Sequence, residues 1–168
     1  MNTETKPKKE SKLDIDSNYD LRLVSTLSPA LRWVLTLPIA FIAMFAVQVG
    51  FGTLVKLINS NLPMGEIVNT IMLSTVMLAK YVIFVIAATS TAPVARNKKF
   101  IVSIAAAFIG ALLCVGGTAI SLSLSVAIDK TMLISTFAAS ILGLLLGIWK
   151  VRSSISKPVT EENKTSQL

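Results

Sequence analysis

Thirteen uncharged residues, Ile67 to Ala79, lead to Lys80; fifteen more, Tyr81 to Ala95, follow it, and the run stops at Arg96, Lys98 and Lys99. Nothing else in the chain constrains its fold as strongly. A hydrocarbon core of ~30 Å takes about 20 helical residues at 1.5 Å each. Within it a backbone must satisfy its own N–H and C=O groups, which a helix does and a lone strand cannot. The stretch therefore reads as one membrane crossing with a lysine near its middle, and the basic cluster after Pro93 marks a cytoplasmic end.

The remaining spans follow from the same criterion. Arg32 and Lys56 bracket 23 uncharged residues, Trp33 to Val55. Ser28-Pro29 supplies a helix start, with the serine oxygen as a cap and proline at the first helical position. Arg32-Trp33 suits the interface as a snorkelling cation beside an amphipathic ring. Pro38 should kink this helix and free the Val34 carbonyl. A polar turn from Ile58 to Glu66 leads into the second span. The third starts at Phe100 and stays uncharged to Ile128, 29 residues, which overshoots a bilayer. It is expected to tilt, to project, or to bend near Gly116-Gly117. Asp129-Lys130 forms the next turn, and the fourth span runs from Thr131 to Trp149, with Trp149-Lys150 as a second aromatic and cationic anchor. The expectation is an all-α, four-helix up-down membrane bundle with spans near 31–57, 67–91, 100–126 and 131–150. Residues 1–28 and 153–168 are expected to be disordered cytoplasmic tails. The first apolar run begins too far along to be a secretory signal.

Composition and charge agree. Hydrophobic residues make up 53% and charged residues 15%, against about 45–50% and 25% in soluble domains. The net charge of +7 could suggest nucleic acid, but thirteen of the sixteen basic residues flank spans on one side and two on the other. That is the positive-inside bias, so the bilayer is the partner, no nucleic acid is expected, and both termini are assigned to the cytoplasm. Cys114 is the single cysteine, so no internal disulfide is possible.

The chemistry is sparse. Histidine is absent and every acid lies in a tail, loop or span end, so no carboxylate pair, metal cluster or activating base is expected, and neither enzyme activity nor a cofactor. Proton-coupled transport through intramembrane acids is disfavoured for the same reason. Lys80 is the one ionisable residue at membrane depth. About ten residues separate it from the basic interface, roughly 15 Å, too far for a lysine to snorkel without strain. Its candidate partners are Gln48, Ser74, Thr75 and the Val34 carbonyl, unless it gives up its proton; it reads as a polar plug between helices or as a pathway or lipid-headgroup site.

Packing signals are clearer. Ser135, Ala139, Gly143 and Gly147 recur every four residues in the fourth span, and Ala106, Gly110, Cys114 and Thr118 do so in the third. Small residues at that spacing let helix backbones approach closely. The two stripes are expected to pair within the chain; the alternative is a face for self-association or for another membrane protein through the fourth helix. The sequon at Asn163 falls in a segment assigned to the cytoplasm.

At Ala92-Pro93, followed by Arg96, Asn97, Lys98 and Lys99, the chain resembles a loose group of small, uncharacterised four-span bacterial membrane proteins, in which the second span ends in Ala-Pro and a basic turn. The resemblance implies a bacterial plasma membrane and no functional residues. Two functions follow from the residues themselves. One is a non-catalytic accessory or scaffold subunit acting through the small-residue face of the fourth span. The other is a passive channel or small transporter with a buried polar centre around Lys80.

Overall fold

The computed structural model describes residues 15, 16, 18–62, 65–123 and 129–156. Among them the protein is all-α, with no sheet, and four helices are long and apolar enough to cross a membrane. A short helix α1 (Arg22–Ser25) precedes the spans α2 (Pro29–Asn61), α3 (Glu66–Thr91), α4 (Lys99–Ser123) and α5 (Lys130–Ser156), and a 3₁₀ turn at Arg96–Lys98 leads into α4.

Local chemistry sets the ends. Pro29 opens α2 as expected, but Ser28 contributes its carbonyl, which accepts from the Arg32 N–H at 3.0 Å, and its hydroxyl makes no cap. At the start of α5 the Asp129 carboxylate accepts from the Thr131 and Met132 N–H groups at 3.0 and 3.2 Å, a side-chain cap that also sets negative charge at the positive end of the helix dipole. Residue Ala92 is extended, with ψ 129°, because the Pro93 ring clashes with a helical predecessor.

α3 is the spine, in contact with α2, α4 and α5, while α4 also packs on α5. The core runs through Tyr81, Phe84, Val85, Ala88, Ala106, Leu144 and Val151. Close approach depends on glycine at two places. A Cβ on Gly143 would lie 2.5 Å from the Leu78 carbonyl oxygen, and one on Gly147 would lie 2.8 Å from Val85 Cβ. The α5 stripe thus faces α3. The α4 stripe meets α5 only in part: a Cβ on Gly110 would lie 2.6 Å from Leu144 Cδ2 and 3.5 Å from the Phe84 ring of α3.

Several expectations need correcting. α2 and α5 extend beyond their predicted limits, α5 to Ser156, since Val151 is buried and Ile155 packs on the core. Of the alternatives expected for the third span, α4 takes an unbroken course through Gly116-Gly117. Ile15 to Ser28, read as tail, is tied to the bundle: Ile15 bridges Leu21, α1 forms, and Tyr19 and Val24 are buried. The tails before Ile15 and after Ser156, Pro63 of the first turn, the stretch 124–128 and the Asn163 sequon lie outside the described residues.

Candidate functional site

Two polar places stand out along the bundle. The first lies at the basic end, where the N-terminal segment, the start of α2, the end of α3 and the start of α4 converge. The last carbonyls of α3 have no helical donors, since Pro93 lacks an N–H and the helix stops. They are met from outside: Ser90 O accepts from the Leu21 N–H at 2.9 Å, Thr91 O from Arg32 Nε at 3.1 Å, and Thr89 O and Ala92 O from Lys99 Nζ at 3.0 and 2.7 Å. Cations at the negative end of a helix dipole are favourably placed. Both then meet Asp20, whose Oδ1 lies 2.6 Å from Arg32 and 2.6 Å from Lys99.

This cluster is inside the protein: Lys99 is 0% exposed and the Asp20 side chain 16%. Asp20 is presented by a small loop in which Asp16 Oδ1 accepts from the Asn18 and Asp20 N–H groups at 2.9 and 2.8 Å. Tyr19 takes φ 64°, a left-handed conformation that costs a side-chain-bearing residue on the order of 1 kcal/mol. Burial pushes the Asp20 carboxyl up, but hydrogen bonds and charge from Arg32 and Lys99 outweigh it and leave it below its ordinary value. Burial raises the Tyr19 phenol, with its Ser154 hydrogen bond pulling the other way. Beside it, Arg96 donates to the Ser154 and Ile155 carbonyls, both at 3.1 Å, and caps the end of α5.

Sequence reasoning treated Arg32, Lys98 and Lys99 as equivalent topology anchors. The structure separates them. Trp33 is 52% exposed and faces outward, whereas Arg32 turns inward to Asp20 and does not snorkel. Lys98 is exposed and Lys99 is buried. Trp149 and Lys150 are exposed.

The second place is a cleft of about 230 Å³ between α3, α4 and α5. Lys80, Tyr81, Cys114, Thr118, Thr136 and Ser140 give it its polar lining, and Leu113, Leu133 and Phe137 its apolar wall. It reaches Ser121 in the last turn of α4 and Leu133 in the first turn of α5, at the far end of the bundle. Toward the basic end it stops where Phe84, Val85 and Leu144 are buried. The hydroxyls of Thr118, Ser121 and Ser140 donate to carbonyls one turn back at 2.7–2.9 Å, the usual resting arrangement of such residues in a helix. Their oxygens keep lone pairs for a ligand.

Lys80 is held loosely. Nζ lies 3.5 Å from Gln48 Oε1, 3.7 Å from Met77 Sδ and 5.6 Å from the Tyr81 ring centroid. Gln48 is thus beside it. Ser74 instead bonds Ser135 at 2.8 Å, and Thr75 bonds its own Ile71 carbonyl, so the structure does not bring these two to the lysine. Of the packing positions, Cys114 and Thr118 line the cleft with Lys80, and Cys114 is buried like Ala106 and Ala139. Thr136 and Ser140 were missed, although their four-residue spacing puts both on one face of α5. Among the described residues no three His, Cys, Asp or Glu side chains group as metal ligands. Comparisons with models of known families, with curated proteins and with solved structures find no match to this chain.

Proposed function

We propose that this multi-pass membrane protein is a passive channel or small transporter whose polar centre is the Lys80 cleft. The observation that carries this reading is a cationic cleft at membrane depth with no carboxylate in its lining. An ionisable group kept at that depth without a strong partner is costly and marks a solute pathway. The volume of about 230 Å³ falls below the ~300–1,000 Å³ of pockets for larger organic ligands, so the solute is small. The lysine repels cations and offers a donor; the solute presents a negative or strongly dipolar oxygen to it. No catalytic step is assigned.

In the proposed membrane, a bacterial plasma membrane, both termini and the Arg96–Lys99 turn face the cytoplasm, and the cleft opens outward. The basic-residue asymmetry supports this direction. Cysteines at Asn61 and Asn97, in a Cys114→Ser background, should be labelled in intact cells at Asn61 alone; the opposite pattern reverses the direction. The scaffold reading is weaker, because the small-residue face on which it depended packs against α3 of the same chain.

The sequence's single thiol, Cys114, is buried in the wall of the cleft, so a cysteine at Gly117, an exposed position of the same lining, makes the proposal testable. Purified protein in phosphatidylcholine vesicles should pass small anions or small neutral polar solutes faster than empty vesicles, and potassium no faster. A sulfonate-bearing thiol reagent should reduce that flux in Gly117→Cys made in a Cys114→Ser background and leave Cys114→Ser alone untouched. Flux equal to that of empty vesicles for every solute, or equal passage of potassium, removes the proposal.

A further inference from the structure

The cations at the basic end each have partners besides Asp20. Arg32 is held by Thr91 O through Nε, and Lys99 by two carbonyls through Nζ. Together they form a fixed pair of donors aimed at one point, and Asp20 Oδ1 occupies that point, 2.6 Å from each. Two cations meet one bonded carboxylate, with Asp16 of the same segment acting on Lys99 from farther off and the partial negative end of α3 beside them. The carboxylate comes from a segment held by few contacts: the Leu21 N–H on Ser90 O, the buried Tyr19 with its Ser154 hydrogen bond, and the buried Val24 of the four-residue α1. Its side chain keeps a path to solvent, at 16% exposure.

We propose that Arg32 and Lys99 form an oxyanion-binding site at the basic end, in which Asp20 is a tethered, exchangeable occupant. A phosphate-type oxyanion takes the same three hydrogen bonds, two from Arg32 and one from Lys99, brings more negative charge than a carboxylate, and releases the N-terminal segment from the bundle. Arg favours phosphate and carboxylate alike for its planar donor geometry. The site is built: Lys99 is fully buried and Arg32 nearly so, and Asp16, on the strap itself, is the other acid close by. Such an oxyanion can come from solution or from the headgroup of an anionic phospholipid. The proposal does not rest on solute passage through the Lys80 cleft, because it concerns the attachment of residues Ile15 to Ser28.

Hydrogen exchange of the wild-type protein reads that attachment directly. The Leu21 and Val24 amides are bonded to Ser90 O and Leu21 O and are protected only while the segment is seated. In neutral detergent, millimolar phosphate should speed their exchange saturably, by about tenfold, relative to chloride at matched ionic strength. In lipid discs without added phosphate, phosphatidylglycerol should do the same relative to phosphatidylcholine. A response in the first arm assigns the ligand to solution; a response in the second alone assigns it to lipid. In Asp20→Asn the exchange should already be fast and indifferent to phosphate, while phosphate should raise thermal stability by filling the vacated site. The proposal is overturned if neither arm responds, if chloride acts as well as phosphate, or if Asp20→Asn protects these amides as the wild type does. Should Asp20→Asn not fold, the two wild-type arms decide alone.

Discussion

Lys99 and Lys80 both belong to membrane-spanning helices, and the protein treats them in opposite ways. Lys99 is fully buried with three partners between 2.6 and 3.0 Å. Lys80 is half-buried beside a cleft, and its nearest acceptor is an amide oxygen at 3.5 Å. Their surroundings differ as much. Around Lys99 the chain ends are interlocked, and toward that end Gly143 and Gly147 press against α3; around Lys80 the helices part, and Gly116 and Gly117 have nothing within 4 Å of a would-be Cβ. A buried charge is stable where several acceptors converge on it, and where they do not it carries an uncompensated cost.

The sharpest way to break this contrast is Asp20→Ala, which strands two buried cations. Loss of one partner of a buried pair costs about 3–5 kcal/mol, and the partial exposure of Asp20 puts the loss near 3, read from unfolding in detergent. The same contact has a pH signature. The carboxyl of Asp20 lies below its ordinary value, so its contribution is complete above the unfolded value of about 3.9 and is lost as pH falls through the lower folded value. Stability should be flat from neutral pH down to the ordinary carboxylate range and then drop, and Asp20→Asn should lack that acid limb.

Next in size is Gly143→Leu. The new Cβ meets backbone, the Leu78 carbonyl, which cannot swing away, so the upper part of the overpacking range, about 2–3 kcal/mol, is expected in thermal stability. A variant of normal stability would mean that α5 does not seat on α3 as described. Lys80→Met should change stability by no more than about 1 kcal/mol, and toward gain, because it removes a poorly compensated charge and keeps the stem. If the cleft conducts, solute flux should vanish at normal abundance. A large loss of stability would instead make Lys80 a structural residue like Lys99. Smallest of all is Gly117→Ala, which adds a methyl in open space and should gain up to about 1 kcal/mol from helix preference.

The spans were legible because length and apolarity in a bilayer leave few choices, and Lys80 was legible because a charge inside an uncharged run has nowhere to hide. The Asp20 cluster was not. Its three members lie in a polar tail, at a span entry and in a basic turn, and each has a bland local explanation; only the fold brings residue 20 to residue 99. One trace was present in Ile15, Tyr19, Leu21 and Val24, apolar positions too regular for a solvated tail. Cys114 and Thr118 show a related ambiguity: small residues at four-residue spacing suit a tight contact and a polar lining equally, and Cys114 is both buried in the core cluster and part of the cleft wall. For Ser74 and Thr75, nearness to Lys80 in sequence was a poor guide, since a helix turns adjacent residues to different faces.

The bond between Asp20 and Lys99 also orders events during synthesis. The two residues are 79 positions apart, so Asp20 has long left the ribosome before its second cation exists. Until α4 begins, Arg32 and the end of α3 can offer only part of the seat, and Lys99 completes the cation pair. The N-terminal segment is therefore made well before the seat of its carboxylate is whole, and its Tyr19 contact with Ser154 waits on α5 as well.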